Sequence, residues 1–209
     1  MVRKKLNAKK VVDLNGSTQC MVTGATLELN VADYARSKNV KIESLLFEKT
    51  EEAMAAAEAG RCDGYSDDTG SLAAARSTMK NPDDWEILAE VISKEPLGIH
   101  VRQGDQNWSI ITKWMHMALL NAEELGVTKA NVDQMKSSPD PFIRRLLGEE
   151  GDFGKMMGID NRWAYNAIKA VGNYAEIYDL HFGPKALALP RGQNEQWSKG
   201  GLQYGLPLR

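Results

Sequence analysis

Cys20-Met21-Val22-Thr23-Gly24-Ala25-Thr26-Leu27-Glu28-Leu29-Asn30 decides how the chain is read. A short apolar run stops at Thr23 and a helical pattern opens at Leu27-Glu28, so the segment is a strand-to-helix turn. Gly24 lets the backbone turn tightly. The first N–H groups of a helix have no intrahelical partner and sit at the positive end of its dipole. A loop of small and hydroxyl residues at that position suits a carboxylate or a phosphate. An ordinary capped turn has the same composition, since Thr and Gly are common caps, and the loop alone does not separate the two readings.

Working outward, strand and helix patterns alternate: strand 17–22, helix 28–37, strand 41–47, helix 50–59, strand 62–66, helix 71–79 and a further strand 85–92. Alternation of this kind means βαβ units, hence an α/β fold with a parallel sheet. Ligands of such sheets bind beyond the carboxyl ends of the strands. Two loops lie at that edge, 23–26 and 67–70. Past Ser93-Lys94-Glu95-Pro96 the alternation stops. One strand, 97–102, precedes helices at 106–125, 129–136, 141–147 and 161–180. Trp108, Ile111, Met115 and Leu119 recur at helical spacing, as do Trp163, Ile168, Val171 and Ala175, so both long helices carry an apolar face that needs a partner surface. The Gly-rich tail from Pro190 reads as an extended strap.

Composition narrows the function. The chain has 26 basic and 28 acidic residues, a net charge of −2, and so no field that points to nucleic acid. No stretch approaches the roughly 18 successive apolar residues of a membrane helix. The basic start through Lys10 is followed by Val11-Val12-Asp13-Leu14-Asn15-Gly16 with no apolar core, so no export signal is expected in this sequence. His100, His116 and His181 are scattered, without metal-ligand spacing. Glycine-rich nucleotide loops and serine-nucleophile motifs are absent, and Asp152-Phe153-Gly154 lacks every companion of the kinase motif that it matches. The expectation is a protein that is not an enzyme and uses no cofactor or metal.

Two features remain. Cys20 and Cys62 are too far apart for a redox pair; each lies in an expected strand, and they are either sheet neighbours joined by a disulfide or two buried thiols. Asp67-Asp68, just after a strand, is either the N-cap of the next helix or a carboxylate partner for an ammonium group. A carboxylate cradle at loop 23–26 facing an acid at Asp68 is what an α-amino acid requires.

On these residues, and on the runs Gly60-Arg61-Cys62-Asp63, Ile92-Ser93-Lys94-Glu95-Pro96-Leu97-Gly98, Val101-Arg102-Gln103-Gly104-Asp105, Asn121-Ala122-Glu123-Glu124-Leu125-Gly126-Val127 and Trp197-Ser198-Lys199-Gly200-Gly201-Leu202-Gln203-Tyr204, the chain resembles periplasmic solute-binding proteins of family 3. The likeness is strongest to the binding component of a general L-amino-acid ABC transporter. It implies a periplasmic-binding-protein type II fold, in which two lobes close on an amino acid. Residues 1–93 would be the second, ligand-binding lobe and 94–209 the crossover and the C-terminal portion of an incomplete first lobe. The resemblance further implies that Thr23, Gly24, Ala25 and Thr26 hold the ligand carboxylate, that Asp68 holds its ammonium, and that Cys20 and Cys62 form a disulfide. It implies an L-amino acid and an ABC permease as partners, in the periplasm.

The departures bear on the site. Family members carry threonines where Ala25 and Leu27 stand, and a neutral residue in place of Asp67. Two adjacent carboxylates repel, so Asp67 is expected to turn to solvent or the site to favour a more cationic guest. The section of lobe one that precedes Met1 in the family, with its carboxylate-binding arginine, is not in this sequence. Two functions follow: a truncated amino-acid receptor of a transporter, or a paralogue whose uncovered helices pair with a second copy or with the missing lobe-one segment.

Overall fold

The run that ends at Val22 is buried through its middle, with Gln19, Cys20 and Met21 exposed by 2% or less. A strand covered by helices on both faces has this pattern. The structure, a computed structural model, describes residues 1–24 and 26–208 and divides into two units, Met1–Leu97 and Gly98–Arg209.

In the first unit the elements follow as β1 (Val2–Arg3), β2 (Thr18–Val22), α1 (Thr26–Lys38), β3 (Glu43–Phe47), α2 (Thr50–Glu58), β4 (Gly64–Tyr65), α3 (Thr69–Thr78) and β5 (Trp85–Glu86). Their sheet has the order β3-β2-β4-β1-β5. Strand β2 pairs in parallel with β3 from Thr18↔Glu43 to Val22↔Phe47, and with β4 through Gln19↔Gly64 and Cys20↔Tyr65. Strand β1 is antiparallel to β4 and β5. The chain thus goes from β2 outward to β3, then crosses back to place β4 on the other side of β2. That reversal is a topological switch point between β2 and β4.

Two apolar clusters hold the sheet. One gathers Cys20, Ala53, Ala57, Cys62, Tyr65 and Leu72, from β2, α2, β4 and α3; the other joins Val2, Val11 and Leu14 to Tyr34 of α1. Helices α2 and α3 therefore share one cluster and α1 the other, the two-sided cover that a doubly wound sheet needs. The Cys20–Cys62 disulfide, with Cα atoms 5.6 Å apart, ties β2 to the residues that lead into β4. At Gly64 a Cβ would fall 2.6 Å from the Met1 carbonyl and closer still to the Gln19 side-chain amide, so β4 can pass between its neighbours only as glycine.

The α/β expectation holds, with shorter elements. Strand 62–66 contracts to Gly64–Tyr65, which leaves Cys62 just outside it, and strand 85–92 contracts to Trp85–Glu86. Strand β1 has no counterpart in the expected pattern, because two residues carry no periodicity.

The second unit has α4 (Gln106–Glu124), α5 (Val132–Met135), α6 (Pro141–Leu146), α7 (Phe153–Met156), α8 (Trp163–Val171) and α9 (Tyr174–His181). Its core gathers Ala118, Val127, Val132, Leu147, Ala164 and Ile168. Among the described residues no strand occurs here beyond one bridge, Gln196 to Gln203. The expected strand 97–102 is not formed: Leu97 and Ile99 are 87% and 69% exposed and have no neighbouring strand to pair with. The expected helix 161–180 breaks in two, because Gly172 takes φ +86° and Asn173 starts α9 with a capping box to Glu176. The tail forms a strap held by Arg191, which makes a bidentate pair with Glu123 at 2.8 and 3.1 Å and lies over the rings of Tyr174 and Tyr178.

Candidate functional site

The switch point puts the ends of β2 and β4 side by side, so the residues that follow them, Thr23-Gly24 and Ser66-Asp67-Asp68, share one crevice edge. The register fixes this: Cys20 sits against Tyr65, and the Ser66 N–H donates to the Cys20 carbonyl at 3.0 Å. Both loops expected to hold ligand are therefore neighbours, and the disulfide ties β2 to the residues that lead into β4.

On the β2 side, the Thr23 N–H donates to the Phe47 carbonyl at 2.9 Å, which leaves its exposed hydroxyl as the group it can offer. Gly24 takes φ +74°, and the position of its missing Cβ meets nothing within 4 Å. The turn needs glycine for its backbone, and the space over it is open. Thr26 opens α1 and is exposed. Ala25, the remaining member of the expected cradle, lies outside the described residues.

On the β4 side, Asp68 is the N-cap of α3. Its Oδ1 accepts from the Ser71 N–H at 3.0 Å and its Oδ2 from the Ser71 hydroxyl at 3.1 Å. The capping reading is thus present, and it leaves the charge of Asp68 and further lone pairs at the crevice. Asp67 does not turn to solvent. It is half-buried, and accepts from the Tyr65 hydroxyl at 2.6 Å and from the Asp68 N–H at 2.8 Å. Both donors favour the charged form of Asp67 and so offset part of the repulsion from its neighbour. Burial, with the Asp67 bond second, pushes the Tyr65 hydroxyl well above the ordinary phenol range, so it stays a proton donor to Asp67.

Two participants escaped the sequence reading. Tyr65 lies two residues before Asp67 on the same side of an extended segment, a spacing visible in the sequence. Glu95 gave no such signal: it accepts from Asn30 Nδ2 at 2.6 Å and from the Thr26 hydroxyl at 3.4 and 3.5 Å, across 65 and 69 residues of chain. Among the described residues no group of three His, Cys, Asp or Glu side chains is gathered for a metal, and no helix is long and apolar enough to cross a membrane.

No protein-family model matches the chain. Individual proteins do. The general L-amino acid-binding periplasmic protein AapJ of Rhizobium johnstonii is 50% identical over 212 aligned residues, which take in 100% of this chain and 62% of that protein. The glutamate/glutamine/aspartate/asparagine-binding protein BztA of Rhodobacter capsulatus is 44% identical with the same coverage. A solved structure from Brucella ovis, described as an ABC transporter periplasmic binding protein with glutathione bound, is 48% identical and superposes with a TM-score of 0.95, over 100% of this chain and 66% of that one. All three are binding proteins rather than enzymes, and this chain spans about three fifths of the length of AapJ and BztA. Along its whole length, the chain is similar to amino-acid-binding periplasmic proteins.

Proposed function

We propose that the chain is an amino-acid-binding component of an ABC importer, acting in the periplasm, and that its crevice between the ends of β2 and β4 takes the α-amino-acid head group. The observation that carries this reading is the switch point itself, which sets a hydroxyl-lined helix start beside a capped carboxylate. Thr26, with the hydroxyl of Thr23 and the open space over Gly24, receives the carboxylate. Asp68 receives the ammonium, with Asp67 held behind it by Tyr65. Residues 1–93 serve as the ligand-binding lobe and residues 94–209 as the crossover and the C-terminal portion of the other lobe, and an ABC permease is the partner. The printed names of AapJ and BztA support an L-amino acid as ligand. The glutathione of the Brucella protein fits the same chemistry, since its γ-glutamyl end carries a free α-amino and α-carboxylate pair.

Calorimetry with L-glutamine, L-glutamate and glutathione at up to millimolar concentration tests the reading. The expected result is saturable heat with at least one of them, weakened about tenfold or more by Thr26→Ala, in line with the loss of a hydrogen bond to a charged group. No heat with any of the three, or full binding by the Thr26→Ala variant, would contradict it.

A further inference from the structure

Glu95 contacts Thr26, whose hydroxyl the proposed site offers to a ligand carboxylate, and Asn30 on the same helix. Its side chain is itself a carboxylate. It accepts from Asn30 Nδ2 at 2.6 Å and approaches the Thr26 hydroxyl at 3.4 and 3.5 Å. Thr26 and Asn30 are four residues apart on α1 and so share one face at its N-terminal end. A negative group at this end of the helix is favoured by the dipole, whether it belongs to the protein or to a guest. Glu95 also lies only two residues before the boundary between the two units at Leu97 and Gly98.

We infer that Glu95 is an internal competitor: its carboxylate occupies the α1 end of the crevice and must leave when an amino-acid carboxylate enters. This rests on the reading of Thr26 given above. Entry of a guest exchanges one carboxylate for another at Thr26, so the hydroxyl is never left without an acceptor. The exchange lowers apparent affinity, because part of the interaction of the guest replaces one that the protein already makes. It also releases segment 93–98 from α1, so that occupancy of the site is reported to the linker between the units.

The test compares the wild-type chain with Glu95→Ala, Glu95→Gln, Asn30→Ala and the Glu95→Ala/Asn30→Ala double variant, by calorimetry with L-glutamine and L-glutamate. Circular dichroism checks that each variant is folded. Glu95→Ala is expected to bind about two- to tenfold more tightly, equivalent to roughly 0.4–1.4 kcal/mol, with Glu95→Gln between it and the wild type. Asn30→Ala should tighten binding less, and the double variant should bind no more tightly than Glu95→Ala. Thr26→Ala made in the wild-type and Glu95→Ala backgrounds separates the two ideas. If Thr26→Ala weakens binding but Glu95→Ala does not strengthen it, the competitor role is wrong and the site stands. If Glu95→Ala weakens binding, Glu95 is a ligand contact, and the proposal is overturned in the same way. If neither the wild type nor Glu95→Ala binds either amino acid, or both bind with an affinity indifferent to Thr26→Ala, the site itself is misassigned.

Discussion

Asp68 does two things at once, and substitutions can separate them. As the N-cap of α3 it satisfies the Ser71 N–H, and as a charge it stands at the crevice. Asp68→Asn keeps a capping oxygen and removes the charge, so it should retain stability while losing amino-acid binding. Asp68→Ala should lose both, with a stability cost of about 1 kcal/mol. Thermal denaturation and calorimetry on the two variants check this. Tyr65 gives a pH prediction. Its hydroxyl is raised above the ordinary phenol range in the folded chain by burial and by Asp67. The folded state therefore keeps a proton that the unfolded chain releases at about 10. The stability from this group is complete below that pH and is lost as pH rises above it. Chemical denaturation across this alkaline range should show a steeper fall for the wild type than for Tyr65→Phe.

At the scale of elements, the pair β2 and β4 carries the account, and it is held by a disulfide and by a glycine. The Cys20–Cys62 bridge closes a loop with a sequence separation of 42. On the chain-entropy account its removal by Cys20→Ser/Cys62→Ser should lower stability by about 4 kcal/mol. Gly64→Ala should cost about 1–3 kcal/mol by overpacking, since its methyl would press on the Met1 carbonyl and the Gln19 amide. Urea denaturation measures both. The same pair shows what could be read in advance. The βαβ order and the two crevice loops were legible because hydrophobic period and turn residues are local signals. The position of β4 between β2 and β1 was not, because strand order is set by non-local pairing. Helix 161–180 was read as continuous because its apolar period runs through Gly172, although Asn173 and Glu176 already spell a capping box. Strand 97–102 looked apolar enough to form, but a strand exists only with a neighbour to bond to. Which of the two alternatives holds for Asp67 was not legible for a related reason: its donor, the Tyr65 hydroxyl, becomes visible only once β4 has fixed where that ring points.

At the scale of the molecule, two units join near Leu97, and the residues proposed to hold a ligand lie in the first of them. The second unit is helical among its described residues, and α4 leaves Trp108 and Ile110 at 54% and 44% exposure. Apolar area of this kind costs about 25 cal/mol per Å² when left in water. Replacing both residues with Ser should therefore raise solubility without loss of binding by the first unit, as judged by light scattering and calorimetry on the same samples. The relatives extend beyond the region that this chain matches. The crevice between the ends of β2 and β4 is the central claim, and the most direct measurement of it is an NMR titration of the ¹⁵N-labelled chain with L-glutamine. The account predicts that the amide signals of Thr23, Gly24, Thr26 and Asp68 shift together and saturate, while those of α4 to α9 stay in place. Shifts confined to other residues, or none at millimolar amino acid, would contradict it.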